Sequence, residues 1–599
     1  MQKIVKDINQ CINLYSSQRY QDVVNKLPLL LNQIPYNGQL IYILAMSERF
    51  IGNNERAEHY FQLLLDKEAN NCAYLCGYAN FFIAIKKYAR AQPLLEKALQ
   101  INGKYFDANY NFARLLSLKK EFEYAFKYYQ QASLLNPQHQ STTVGLADCQ
   151  HKLHKTNEAI NTCLTFIKRN QTNKQVRHKL ALLYKELNDV TLSVNAFKEL
   201  LALFPEDFDL LKSYALSSAS FGLFEESKAL LSRLLNEHPN DFELHECYFY
   251  LLWNQERRGY FAYYEKYYKS ITNVDILYSF CKKLIKEDLL AQALEVIEYG
   301  FKLNIKIENA YLIKGHILRE LGDFEQSLHV LSEGKQRVPE HTDLIYELVI
   351  TYLCLKQYDN ALMYAKKMTE NSPWHQGCWA LYASTLRFSG NEEEYHKLYN
   401  YDDFVKIYSV PPPKRYKNVQ EYNAELLDEL EKYHKNKRYP IEQSVRNGRQ
   451  TPNHLFANAS PFIKEFEHSL TSVIDEHVKT LNKMEGHPLL AHVNNHYFYS
   501  GAWSIDMKGK GFHKNHYHHK GWVSGPYYVV VPDAVNADGE GWLKVGQAEL
   551  SRWLKQEADY YIKPTEGDVI LFPSYMWHGT VPLTKNQQRV TIAFDVTPQ

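Results

Sequence analysis

The amino-acid sequence predicts a multidomain α + β protein, with an α-helical repeat solenoid followed by a β-rich domain with flanking helices. Three observations predict it: a 34-residue period through the first two thirds, three consecutive prolines at Pro411–Pro413, and short runs rich in Val, Ile, Tyr and Trp beyond about residue 490. At 599 residues the chain is long enough for several hydrophobic cores.

The period is carried by small residues. Ala45, Ala79, Ala113, Ala147, Ala181 and Ala215 follow one another at steps of 34, as do Ala57, Ala91, Ala125, Ala159, Ser193 and Ser227. Pro35, Pro137, Pro205 and Pro239 keep the same frame, and after a step of 100 residues Gly315, Ser327 and Pro339 resume it. Phe61, Tyr129 and Phe197 fill an aromatic slot. Each unit reads as a pair of antiparallel helices, with small residues where the axes cross and proline just past the second helix. One pair cannot bury its apolar face, so the pairs stack and leave a groove suited to a peptide or protein partner. The pattern resembles the tetratricopeptide repeat over about residues 1–400, in about eleven units, irregular near 241–306 where Tyr248 to Tyr268 is rich in aromatics.

Residues 401–420 read as a Pro-rich linker, since Pro411–Pro413 favour extended geometry and cannot continue a helix. The second domain then covers 421–599. Helices are expected over 419–438 and about 460–483, the latter from the spacing of Phe462, Phe466, Leu470, Val473, Ile474, Val478 and Leu481. The strand core spans about 490–599, where YYVVVP, YYIKP, GDVILFP and RVTIAFDV alternate with turn residues. That texture suggests a β-sandwich or small barrel with helices against one face.

Composition narrows the function. Lys plus Arg number 69 against 68 for Asp plus Glu, so charge gives no reason to expect a nucleic acid or a membrane surface as partner. The N-terminus has no apolar signal-like run, and no stretch approaches the roughly 20 apolar residues that cross a bilayer. The nine cysteines are scattered, and Cys72 and Cys76 sit at helical spacing. The expected compartment is reducing, the cytoplasm.

The chemistry concentrates in GFHKNHYHHK, Gly511 to Lys520, where four of ten residues are histidine. On an extended strand His516 and His518 point to one face and offer two imidazoles to one metal ion. His513 and His519 do not share that geometry and are expected to meet solvent or support the site from behind. A third ligand candidate, His578, follows the strand GDVILFP, and Arg589 opens the strand RVTIAFDV. On that strand Arg589, Thr591, Ala593 and Asp595 share one face and Val590, Ile592, Phe594 and Val596 the other. With the apolar face on the helices, the polar face looks inward, where arginine is costly unless it meets an anion.

This ordered set resembles the 2-oxoglutarate- and iron(II)-dependent oxygenases that often carry tetratricopeptide repeats. The resemblance runs through RNGRQTPNHLF, AWSIDMKGKGFHKNHYHHKGWVSGPYYVVVP, EGDVILFPSYMWHG and RVTIAF, about residues 440–599. It implies a double-stranded β-helix (jelly-roll), an Fe(II) centre, 2-oxoglutarate as co-substrate and dioxygen as oxidant. His516 and His578 match the two facial histidines. Arg589 and Thr591 match the pair that grips the distal carboxylate of 2-oxoglutarate, with Tyr528 as a further support. Trp577 is expected either as a wall of the pocket or as core packing. The larger superfamily has His-x-Asp or His-x-Glu where this chain has His518. Three readings follow: His518 is the third ligand, it leaves that position to water or chloride, or catalysis has been lost. The first is preferred. Two rival functions stand beside the oxygenase. One is a cupin-type three-histidine metalloenzyme, which Gly567, Pro573 and His578 fit by spacing, although no glutamate follows His518 and Arg589 is left unexplained. The other is a scaffold whose repeats bind a partner and whose barrel is degenerate.

Overall fold

The computed structural model describes the chain except residues 1, 255–260, 304–306, 435–442, 452–453, 458, 482–486, 488, 491–495, 537–538 and 599. The chain is a helical repeat region over about the first 400 residues, followed by an antiparallel sheet region. It divides into two compact units, Met1–Leu231 and Ser232–Gln599.

The first unit consists of helix pairs such as Gly38–Phe50 with Asn54–Lys67 and Lys174–Glu186 with Val190–Leu203. The small residues of both series are fully buried, from Ala45 and Ala57 through Ala215 and Ser227. Ser193 shows why small size is needed there: its Oγ donates to the Ala181 carbonyl at 3.0 Å, so side chain and facing backbone touch where the helices cross. Within each pair the chain turns through one residue of positive φ, at Gln18, Gly52, Lys86, Lys120, His154, Asn188 and Gly222. These residues are also 34 apart, and the next amide closes each turn, as Asn53 N does on Glu48 O at 2.9 Å.

In the second unit the helix pairs continue with a change of step. After helix Phe242–Asn254 the described residues hold a six-residue helix, Ala262–Tyr267, and a 3₁₀ turn, Tyr268–Ser270. The left-handed residue returns at Asp288, two residues short of two periods after Gly222, and then keeps step through Gly322, Lys356 and Gly390. The described residues of the whole chain hold twelve helix pairs, the last ending in the short helix Glu392–Leu398.

Part of the segment 401–420, expected as a linker, joins the sheet. Residues Lys406–Ser409 form β1, which pairs antiparallel with residues 568–571, and Val410 N donates to Gly567 O at 2.9 Å. Ile407 and Tyr408 suit an edge strand, and the prolines that follow end it by removing the next ladder donors. The remaining strands are β2 Val445–Gln450, β3 Tyr497–His513, β4 Val523–Val530, β5 Leu543–Val545, β6 Tyr560–Ile562, β7 Asp568–Pro573, β8 His578–Thr580 and β9 Gln588–Pro598. They form a six-stranded sheet in the order β1-β7-β4-β9-β3-β2 and a three-stranded sheet in the order β6-β5-β8. Every pairing is antiparallel, and among the described residues the two sheets do not close on each other.

Helices Val419–Glu431 and Pro461–Leu481 lie within the two expected helical stretches; residues 435–438 and 482–483, expected as their ends, lie outside the described residues. Phe466, Leu470, Ile474 and Val478 are buried in one core with Val590, Ile592, Phe594 and Val596 of β9. Each such side chain contributes about 1.5–3 kcal/mol of burial. The apolar face of β9 is therefore committed to the core, and strand alternation turns Arg589, Thr591, Ala593 and Asp595 into the cavity.

Candidate functional site

The cavity has a volume of about 350 Å³ and takes its walls from β3, β4, β7, β8, β9 and the histidine loop. His516 is not inside a regular strand. It forms an isolated antiparallel bridge with His578, each amide donating to the other's carbonyl at 2.9 Å, and His518 N donates to Ser574 O at 2.9 Å. These three bonds pin residues 516–518 against β8 and the turn at Ser574, and the rings of His516 and His518 both reach one cluster.

The result is a cluster of three imidazoles, His516, His518 and His578, whose ligand atoms all lie within 4.8 Å of one another. Backbone and carboxylate acceptors set the three tautomers. His516 Nδ1 donates to Lys514 O at 2.8 Å, His578 Nδ1 donates to Met576 O at 2.9 Å, and His518 Nδ1 donates to Asp595 Oδ1. With the proton on Nδ1, each Nε2 keeps its lone pair, and those of His516 and His518 are 3.3 Å apart. Burial, reinforced by the neighbouring His518, lowers the His516 pKa to about 3, and burial beside His516 and His518 takes His578 well below the ordinary histidine value. These two imidazoles are neutral at physiological pH, as metal ligands must be.

Asp595 is 7% exposed. Burial would raise its pKa, but the contact with His518 and a 2.6 Å hydrogen bond from Ser524 Oγ hold it below the usual carboxylate range. His513 supports the cluster from the side. Its Nδ1 is 2.9 Å from Ser444 Oγ, which is 3.3 Å from His516 Nε2. His519 is exposed at the cavity mouth.

Arg589 lies at the other end of the β9 inward face and is 1% exposed. Its Nη1 donates to Gly541 O at 2.8 Å and its Nη2 to Thr580 Oγ1 at 3.2 Å, while Nε has no partner. Among the described residues no carboxylate reaches it, and burial pushes its pKa down. Thr591 and Tyr528, opposite each other in the β4–β9 ladder, both line the same cavity. A buried guanidinium with one orphaned donor and no counter-ion fits a bound anion.

Trp577 does not line this cavity. It neighbours His578 in an extended segment and so faces the other way, against Tyr517 with ring centroids 5.0 Å apart, in the hydrophobic core. Phe572 is an aromatic wall of the cavity, 4.5 Å from the His578 ring. Asp595, Phe572, Ser444 and Thr580 complete the site beyond the residues expected from sequence. Only Asp595 carried a signal, its shared face with Arg589 and Thr591.

The model of the family described as "Putative 2OG-Fe(II) oxygenase" matches residues 501–595, which include the three histidines, Arg589, Thr591, Tyr528 and Asp595. The tetratricopeptide repeat model matches residues 178–242. Similar solved structures include pilF of Pseudomonas aeruginosa, at 18% identity over 35% of this chain and 96% of that one, with a TM-score of 0.31. They also include PilW, a widely conserved type IV pilus biogenesis factor, at 17% identity over 36% and 99%, with a TM-score of 0.33. A third is a thermophilic tetratricopeptide-repeat protein of Thermus thermophilus, at 16% identity over 30% and 98%, with a TM-score of 0.27. No curated protein matches the chain. The chain thus holds a stretch that matches the tetratricopeptide repeat model and a C-terminal stretch that matches the 2OG-Fe(II) oxygenase family model.

Proposed function

We propose that the protein is a 2-oxoglutarate- and Fe(II)-dependent dioxygenase that hydroxylates a substrate brought to it by its repeats. The observation that carries this reading is one cavity with three convergent, tautomer-fixed imidazoles and a buried arginine that lacks a counter-ion among the described residues. The donor set fits a divalent transition metal, and the arginine fits the far carboxylate of a dicarboxylic acid. A cupin-type enzyme would have no use for Arg589, and a degenerate barrel would not keep a buried unpaired charge.

In this reading His516, His518 and His578 hold the metal through Nε2. Arg589 grips the distal carboxylate in a charge-assisted contact, with Thr591 and Tyr528 beside it. Ile505, Leu543, Phe572 and Ala593 give the cavity apolar walls that exclude water. When bound, Fe(II), 2-oxoglutarate and dioxygen supply oxidative decarboxylation to succinate and carbon dioxide, coupled to hydroxylation of a C–H bond. The reading takes the two sheets as a double-stranded β-helix spanning 421–599, after repeats over 1–400. It takes the cytoplasm as the compartment, a reading supported by cysteines that form no disulfide among the described residues.

The substrate favoured is a polypeptide segment. A second cavity of about 430 Å³ lies between the last repeats and the histidine loop, lined by Ile313, Thr342, Tyr346 and His375. It shares Tyr517 and His519 with the metal cavity. These two residues alternate with His516 and His518, so the histidine loop borders both cavities. Helix Gln376–Phe388 presses on the loop: a Cβ at Gly377 would lie 2.7 Å from Tyr517 Oη.

The test is succinate release by the purified full chain with Fe(II), 2-oxoglutarate and air. Arg589→Ala and His578→Ala should each abolish it. Release no greater than from Fe(II) alone would refute the reading.

A further inference from the structure

We infer that Asp595 is a positioning residue of the metal centre, supplying through His518 the negative charge that a directly ligating carboxylate supplies in the His-x-Asp arrangement. This rests on the metal-site reading above.

The three imidazoles are not equivalent. His516 and His578 give their Nδ1 protons to backbone carbonyls, which are neutral acceptors. His518 alone gives its proton to a carboxylate, and His518 is the residue that stands where the wider superfamily has Asp or Glu. The missing charge has moved outward by one imidazole. A carboxylate behind a histidine fixes the ring and makes its other nitrogen a stronger donor to a metal.

The carboxylate is built in rather than incidental. Ser524 Oγ donates to Asp595 Oδ1 at 2.6 Å, and Ser574 Oγ donates in turn to Ser524 at 2.7 Å. Ser574 also accepts the His518 amide through its carbonyl, so the same residue locks both members of the couple. Gly521 leaves room for this arrangement: a Cβ there would stand 2.4 Å from Ser574 Oγ and 3.2 Å from Asp595. Among the described residues no lysine or arginine pairs with Asp595; its only ion-pair partner is His518. A buried carboxylate in that position is costly unless a cation balances it, and a metal on His518 Nε2 does so.

The test titrates Co(II) alone into the metal-free full-length chain, reading affinity and the visible d–d bands, with a thermal melt of each metal-free variant. Asp595→Asn keeps the shape and removes the charge. It should weaken Co(II) binding about 10–100-fold, shift the bands, and leave the metal-free melt at or above that of the parent. Asp595→Glu should recover part of the affinity. His518→Ala combined with Asp595→Asn should bind no more weakly than His518→Ala alone, because the carboxylate acts only through that ring. Ser524→Ala, which loosens the carboxylate but removes neither charge nor ligand, should lose less than Asp595→Asn and serves if the latter fails to fold. Full affinity in Asp595→Asn, or additive losses in the double variant, overturns the inference while His578→Ala still abolishes binding. If His578→Ala also binds Co(II) as the parent does, the metal-site reading itself falls.

Discussion

The two ends of the inward face of β9 carry opposite charges in opposite predicaments. Among the described residues Arg589 is a buried cation that no carboxylate reaches, and six residues on Asp595 is a buried carboxylate that no lysine or arginine pairs with and that accepts from the His518 ring. Elsewhere in the same unit buried charge is matched. Lys283 pairs with Glu246 at 2.7 Å, and fully buried Arg319 contacts both Glu347 and Glu320. Matched pairs are architecture. Unmatched charges at the two ends of one cavity point to ligands of opposite sign, a cation beside Asp595 and an anion beside Arg589.

The comparison is broken most directly by crossing variants with ligands. Arg589→Ala should lower 2-oxoglutarate affinity by about 10²–10³-fold, the cost of removing one partner of a buried charge pair. Its Co(II) affinity should stay within about threefold of the parent, since the guanidinium touches none of the three imidazoles. Asp595→Asn should show the reverse pattern. Calorimetric titration of each variant with each ligand checks this, and loss of the same ligand in both would erase the distinction between the ends.

A second prediction sharpens the idea of an unmet charge. Arg589→Met should raise the stability of the ligand-free C-terminal unit by about 1–3 kcal/mol, since it removes an uncompensated buried guanidinium. Adding 2-oxoglutarate should then stabilise the parent but not the variant in thermal melts.

Buried histidines away from the cavity give the contrasting case of titration without ligands. Burial, aided by Lys406, lowers the pKa of His477 to about 4, and burial lowers that of His487 to about 4. The unfolded chain binds these protons from about pH 6.5 downward and the folded chain only near pH 4. Stability is therefore lost as pH falls from about 6.5 towards 4, on the order of 2 kcal/mol for each residue, and is flat above that range. Melting curves across that range check it, and His477→Gln should flatten the slope. The smallest effect belongs to the first unit. Ser193→Ala removes the hydrogen bond to Ala181 and should cost about 1 kcal/mol in the melt of the repeats, with ligand binding in the cavity untouched.

Much of this was legible from residue spacing. Small residues 34 apart mark helix crossings because size alone decides fitness there, so Ala and Ser appear with little alternative. The turn residues repeat as strictly in the structure, yet Gln18, Lys86, His154 and Asp288 share no side-chain property, and the positive φ they adopt leaves no mark in a sequence without glycine. Pro411–Pro413 drew attention to a boundary and hid the strand before it. On β9 alternation placed Arg589, Thr591 and Asp595 on one face, but the partner that gives Asp595 its meaning lies 77 residues earlier in a loop. The same rule of alternation, applied next to His578, turns Trp577 away from the cavity, whereas Phe572, which faces it, looks in sequence like any core residue.

The most direct test of opposite ligands at the two ends is anaerobic addition of Fe(II) and then 2-oxoglutarate to the metal-free protein, watching for the visible metal-to-2-oxoglutarate charge-transfer band. The account predicts a band in the parent that is absent in His578→Ala even at high Fe(II). In Arg589→Ala the band should return only at about 10²–10³-fold higher 2-oxoglutarate. No band in the parent, or one indifferent to Arg589, would contradict it.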